Sequence, residues 1–62
     1  MADFVIQNDG TILLFRPLTD AAREWLEANV QEDAQWFGGA LVVEHRYAGA
    51  LAVALIEAGF TA

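Results

Sequence analysis

The stretch FVIQNDGTILLFRP, Phe4 to Pro17, decides how the rest of the chain is read. Two β-prone runs flank Asn8-Asp9-Gly10, and Asp-Gly is a favoured pair for a two-residue type I′ turn because both central residues take positive φ. With Asp9 and Gly10 as the loop, Asn8 faces Thr11, Ile6 faces Leu13 and Phe4 faces Phe15. Side chains alternate across a strand, so Phe4, Ile6, Leu13 and Phe15 share one face, the expected core face. Val5, Ile12 and Leu14 share the other with Gln7 and Arg16. That second face is too apolar for a purely solvated back. Pro17 ends the second strand.

Beyond the hairpin, PLTDAAREWLEANV has a helix start: Thr19 or Asp20 as N-cap, with Asp20 and Glu24 near the positive end of the helix dipole. At 100° per residue Ala22, Trp25, Leu26, Asn29 and Val30 form one stripe. Asp20, Arg23, Glu24 and Glu27 form the opposite one, with Arg23 and Glu27 at i,i+4 spacing. QEDAQWFGG then reads as a connector anchored by Trp36 and Phe37, with Gly38-Gly39 permitting a sharp turn. ALVVEH reads as a third strand, with Leu41 and Val43 on one face and Val42 and Glu44 on the other. A helix follows from about Arg46 or Tyr47 to Ala58, with Gly59 and Phe60 placed for a C-terminal cap.

The expected architecture is therefore α+β, a two-layer ββαβα arrangement in one domain over residues 1–62. Its sheet has three strands, the N-terminal hairpin plus the third strand, with both helices on one face. A right-handed crossover from the second strand through the first helix makes strands two and three parallel in direction.

The run LTDAAREWLEANVQEDAQWFGGALVVEHRY, Leu18 to Tyr47, together with IQNDGTI upstream, resembles a group of very short uncharacterised proteins from bacteria and their phages. DAQWFGGALVVE is the most specific part. The resemblance implies a compact bacterial or phage accessory protein; it carries over no activity and no catalytic residue. The last helix departs from the group in having little charge after Tyr47.

Composition narrows function by exclusion. The 62 residues include no Cys, no Ser, no Lys and one His, so disulfides, thiolate metal sites and the usual Ser, Cys and Lys nucleophiles are absent. A non-enzyme with no cofactor is the expectation. Three basic residues stand against nine acidic ones, for a net charge of −6. That balance disfavours direct nucleic-acid binding and anionic membrane surfaces, which both call for Lys and Arg. No signal peptide is read at Met1–Gly10, and a cytoplasmic location is expected.

Individual residues each have a plain reading and a sharper one. Trp25 lies on the apolar helix stripe, so core packing is preferred over ligand stacking. Trp36 is either a plug at the end of the core or an exposed anchor for a partner. His45, without a nucleophile or second His, reads as a strand-end histidine rather than a base. Gly38-Gly39 lacks the spacing and Lys of a phosphate loop, so the turn reading stands. Asp20, Glu24, Glu27, Glu32 and Asp33 lack calcium-loop spacing and read as an acidic face.

The last helix frames the functional expectation. AGALAVALIEAGF, Ala48 to Phe60, is apolar almost all round yet too short for a bilayer, which takes ~20 apolar residues. Tyr47, Leu51, Leu55 and Ala58 make a sheet-facing stripe, which leaves Val53 and Ile56, with Ala52 beside them, as a second apolar side. Small domains draw on partners for stability. The expectation is a non-catalytic interaction or accessory protein, self-associating as a homodimer or binding another protein. Its interface would be Val53, Ile56 and Ala52, or the second sheet face of Val5, Ile12, Leu14 and Val42, with Trp36 as an anchor. The alternative is an acidic inhibitor, a nucleic-acid mimic that sets Asp20, Glu24, Glu27, Glu32 and Asp33 against a partner's basic site.

Overall fold

Four strands and two helices follow in the order β1 (Phe4–Asp9), β2 (Ile12–Pro17), α1 (Asp20–Asn29), β3 (Trp36–Phe37), β4 (Ala40–Glu44) and α2 (His45–Glu57). They come from a computed structural model that describes residues Met1–Ala62. The strands make one antiparallel sheet in the order β1-β2-β4-β3. Phe4, Phe15, Leu41 and Val43 share one sheet face and join Ala22 and Leu26 of α1 and Ala48 and Leu55 of α2 in a single buried cluster. Both helices therefore pack on the same face of the sheet.

The hairpin loop is Gly10-Thr11, not Asp9-Gly10. Asp9 pairs with Ile12, Asn8 with Leu13, Ile6 with Phe15 and Phe4 with Pro17. Gly10 has φ +77° and no non-glycine residue has positive φ. A type I′ turn on Asp9-Gly10 would force Asp9 into the left-handed region, whereas Gly at the first loop position suits a type II′ turn. The register differs from the expected one by two residues, an even number. Each side chain thus keeps its face.

The expected three strands are four. The connector holds a two-residue strand, Trp36–Phe37, which turns back through Gly38-Gly39 onto Ala40–Leu41. Both glycines have positive φ, 57° and 82°, the pattern of a type I′ hairpin turn. This extra reversal changes the direction of the strand that follows. β4 lies antiparallel to β2, correcting the parallel direction expected for strands two and three. The strand parallel to β2 is β3, with β4 inserted between them, a split β-α-β unit.

α1 is capped as its sequence suggests. Thr19 is the N-cap, and its Oγ1 accepts from the Ala22 amide at 3.1 Å, an arrangement worth about 1 kcal/mol. Trp25 packs, partly buried, against the core: its ring lies 6.3 Å from Phe4 and 5.6 Å from Phe60. Such pairs add about 0.5–1.5 kcal/mol beyond burial. Arg23 and Glu27 form no ion pair; the one salt bridge in the chain joins Arg46 and Glu44 at 3.6 Å on the surface.

α2 is rotated from the expected stripe. It starts at His45, and its core-facing residues are Ala48 and Leu55, flanked by the half-buried Leu51 and Ala52. Tyr47 is 56 % exposed, and its ring lies under the Arg46 guanidinium, 4.9 Å away. Ala58, expected to face the sheet, is the exposed C-cap. The direct strand-to-helix step fits the rotation. With β4 leading directly into the helix, small Ala48 takes the tight position over the sheet and the bulky Tyr47 ring turns outward.

The helix closes with paired bonds: the Gly59 amide donates to Ile56 O and the Phe60 amide to Leu55 O, both at 3.0 Å. This is the Schellman arrangement. It delivers Phe60 onto Phe4 and Trp25. Thr61 then completes the closure. Its carbonyl accepts from the Asp3 and Phe4 amides at 3.0 and 3.1 Å, and its own amide donates to Asp3 Oδ2 at 3.0 Å.

Candidate functional site

The helices cover one face of the sheet, and the other face carries no covering layer. Alternation places Val5, Gln7 and Asp9 of β1 on that open face, with Ile12, Leu14 and Arg16 of β2, Ala40, Val42 and Glu44 of β4, and Phe37 of β3. Three rows cross the strands. The middle row is Gln7, Leu14 and Val42, in register, with Gln35 beside Val42 through a 2.9 Å backbone bond. On one side lie Asp9, Ile12 and Glu44. On the other lie Val5 and Arg16, with Ala40 and Phe37.

Apolar surface on this face is continuous. Ile12, Leu14, Val42 and Phe37 line a shallow depression of about 280 Å³ whose polar rim is Asp9 and Gln35. Leu14 is only 6 % exposed because its neighbours on the sheet crowd it; Phe37 stands out at 68 %. Phe37, read from sequence as a loop anchor, is the most exposed aromatic of the face. The signal for it was WFGGAL, two apolar pairs around Gly-Gly, a hairpin pattern. Arg16 crosses Ala40, and its Nη1 donates to the Gly38 carbonyl, which leaves further guanidinium donors free for another acceptor.

The remaining candidates are spread over other surfaces. Val53 and Ile56 are exposed on α2, at 56 % and 62 %, but Ala52 beside them packs partly on the core. Trp36 projects from the helix side of the edge strand, half-exposed, and is not among the residues packed on the core. Asp20, Glu24, Glu27, Glu32 and Asp33 are all exposed and none makes an ion pair.

A second hollow, an open groove of about 600 Å³, lies between the C-terminal end of α1 and the start of α2. Val30, Ala34, Leu41, Val43 and Leu51 make it apolar, with Asp33, Glu44 and Tyr47 among the polar groups. His45 does not join them. Its Nε2 lies 2.8 Å from the Gly10 carbonyl at the hairpin loop, and a carbonyl can only accept, so Nε2 carries the proton in that bond. The histidine thus ties the loop to α2, away from Tyr47. No group of three His, Asp or Glu side chains is placed to hold a metal ion. No helix is long and apolar enough to cross a membrane.

Compared with known proteins, the chain matches no family model, no curated protein and no solved structure.

Proposed function

We propose that this chain is a small non-catalytic interaction protein, an accessory factor of the bacterial or phage kind, that docks onto another protein surface through the open face of its sheet. One observation carries the reading: the uncovered face presents Ile12, Val42 and Phe37 as one apolar surface around a depression floored by the buried Leu14. Contiguous apolar surface rimmed by polar groups marks interaction sites; Val53 and Ile56, i,i+3 neighbours on α2, make a smaller exposed apolar pair.

The acidic reading has its own support, the five unpaired carboxylates of α1 and the connector. One experiment separates the two. A photo-crosslinking residue is placed at Phe37, Ile56 or Glu27 and irradiated in a bacterial cell. Docking through the sheet gives a protein adduct, to another chain or to a second copy, from position 37 alone. Adducts from position 27 alone establish the acidic surface, and adducts from position 56 alone move the site to α2. Either result ends the sheet-face reading.

A further inference from the structure

We infer that the occupant of the open sheet face is a second copy of the same chain, packed face to face about a twofold axis that runs across the strands through the Leu14–Val42 row. The inference rests on the docking reading above and adds both the partner and its orientation.

Charge placement selects the orientation. Arg16 lies at one end of the face, while Asp9 and Glu44 flank Ile12 at the other. Asp3, just before β1, is engaged by Thr61, and Glu44 already meets Arg46 through one carboxylate oxygen at 3.6 Å, an exposed pair that leaves its other oxygen for a second partner. A twofold axis across the strands lays β2 of one copy antiparallel on β2 of the other. Arg16 then comes over Ile12 of the second copy, between its Asp9 and Glu44, and the same contact is repeated by symmetry. Leu14 and Val42 meet their own counterparts, and Gln7 meets Gln7, an amide pair that can hydrogen-bond to itself. An axis along the strands would instead put Asp9 and Glu44 at the end where their counterparts lie and leave Arg16 without an acid. Only the first orientation is self-complementary, and like charges set against each other weigh against a pairing.

The size of the face fits a modest dimer. Four strands at ~4.8 Å and five residues at ~3.4 Å give roughly 19 by 17 Å, so two copies cover roughly 650 Å² in all, the size of a weak, transient contact rather than of an obligate dimer. Stacked sheets lie ~10 Å apart, and Arg16 meets the facing acids by swinging from the Gly38 carbonyl, to which it donates in the single chain, toward the second copy. Association is therefore expected at micromolar concentrations, with a contribution from exposed charge that salt weakens.

The test is light scattering on the full chain between about 5 and 500 µM, with circular dichroism to verify that each variant is folded. The expected mass doubles from 6.8 kDa across that range. Arg16→Glu, and separately the double variant Asp9→Arg with Glu44→Arg, should each weaken the dimer at least tenfold by facing like charges. Mixed together, the two should restore association as a one-to-one heterodimer, because every facing pair is again opposite. Arg16→Gln and Glu44→Gln, which remove a charge without reversing it, serve should a reversal fail to fold; each should weaken association without blocking it.

Three results would overturn the inference. A chain that stays monomeric throughout, while position 37 still crosslinks to a different protein, removes the second copy and leaves the docking face. A dimer lost on Val42→Glu but indifferent to the charge reversals removes the orientation. A dimer indifferent to Val42→Glu and lost on Val53→Glu with Ile56→Glu removes the docking face itself.

Discussion

Replacing Leu55 by Ala should leave this protein barely stable, while the same truncation at Tyr47, earlier on the same helix, should change its stability little. Leu55 is fully buried and lies in the core cluster that both helices share. The substitution removes carbon worth about 2.4 kcal/mol at ~0.8 kcal/mol per methylene, and the residual cavity brings the loss to about 3 kcal/mol. A domain of this size holds only about 3–5 kcal/mol in all. A starting value of ~4 kcal/mol falls to ~1, which leaves roughly one molecule in six unfolded at 25 °C.

Tyr47 is more than half exposed and its contact is with Arg46 at the surface. Its truncation should cost no more than about 0.5–1 kcal/mol. Urea denaturation followed by far-UV circular dichroism, at a concentration where the chain is monomeric, reads both. Because a stripe of Tyr47, Leu51, Leu55 and Ala58 is what helical periodicity alone suggests, the pair of variants tests the helix rotation directly. Equal losses at the two positions would refute the placement of Ala48 over the sheet and restore Tyr47 to the core.

Other substitutions test the ends of the elements. Thr19→Ala should lower stability by about 1 kcal/mol in the same assay, and Thr19→Ser should recover most of it, since Thr19 Oγ1 caps the Ala22 amide. Gly49→Ala should raise the urea midpoint by the equivalent of about 0.5–1 kcal/mol, because Gly49 is helical and a Cβ there meets nothing within 4 Å. Gly59→Ala should lower it by a similar amount, since Gly59 holds φ +98° in the terminal cap. Asp3→Ala should speed hydrogen exchange at the Thr61 amide by about tenfold, while the Leu26 amide exchanges as before; the Asp3 carboxylate holds the former at 3.0 Å.

The parts of the fold legible in the sequence were those governed by local chemistry. Thr19 as cap, the Gly59-Phe60 terminus, the Ala22-Leu26 stripe and the division of the hairpin into two faces are each set within a few residues. What local pattern could not supply was set elsewhere. Asp-Gly and Gly-Thr are both acceptable loops, and the pairing of Asp9 with Ile12 and the positive φ of Gly10 alone show which is used. β3 has just two residues, too few for alternation to register. Missing it reversed the expected direction of the next strand. For the candidate surface, Val5, Ile12, Leu14 and Val42 were visible as an apolar face, but Phe37 entered only once β3 was paired with β4.

The two differences within the sheet have unequal consequences, and the reason is geometric. A two-residue register shift moves a strand lengthwise yet returns every side chain to its own face, so the core of Phe4 and Phe15 survives it. One added hairpin leaves faces alone as well, but inverts strand direction and brings β4, not β3, beside β2. Face membership depends only on parity, whereas strand order depends on counting every reversal. A surface read from alternation is therefore sturdier than a topology read from element order. This is also why the open face supports a directional proposal: Arg16, Asp9 and Glu44 are positioned by parity and pairing together, so charge swaps at these three positions test the register as well as the interface.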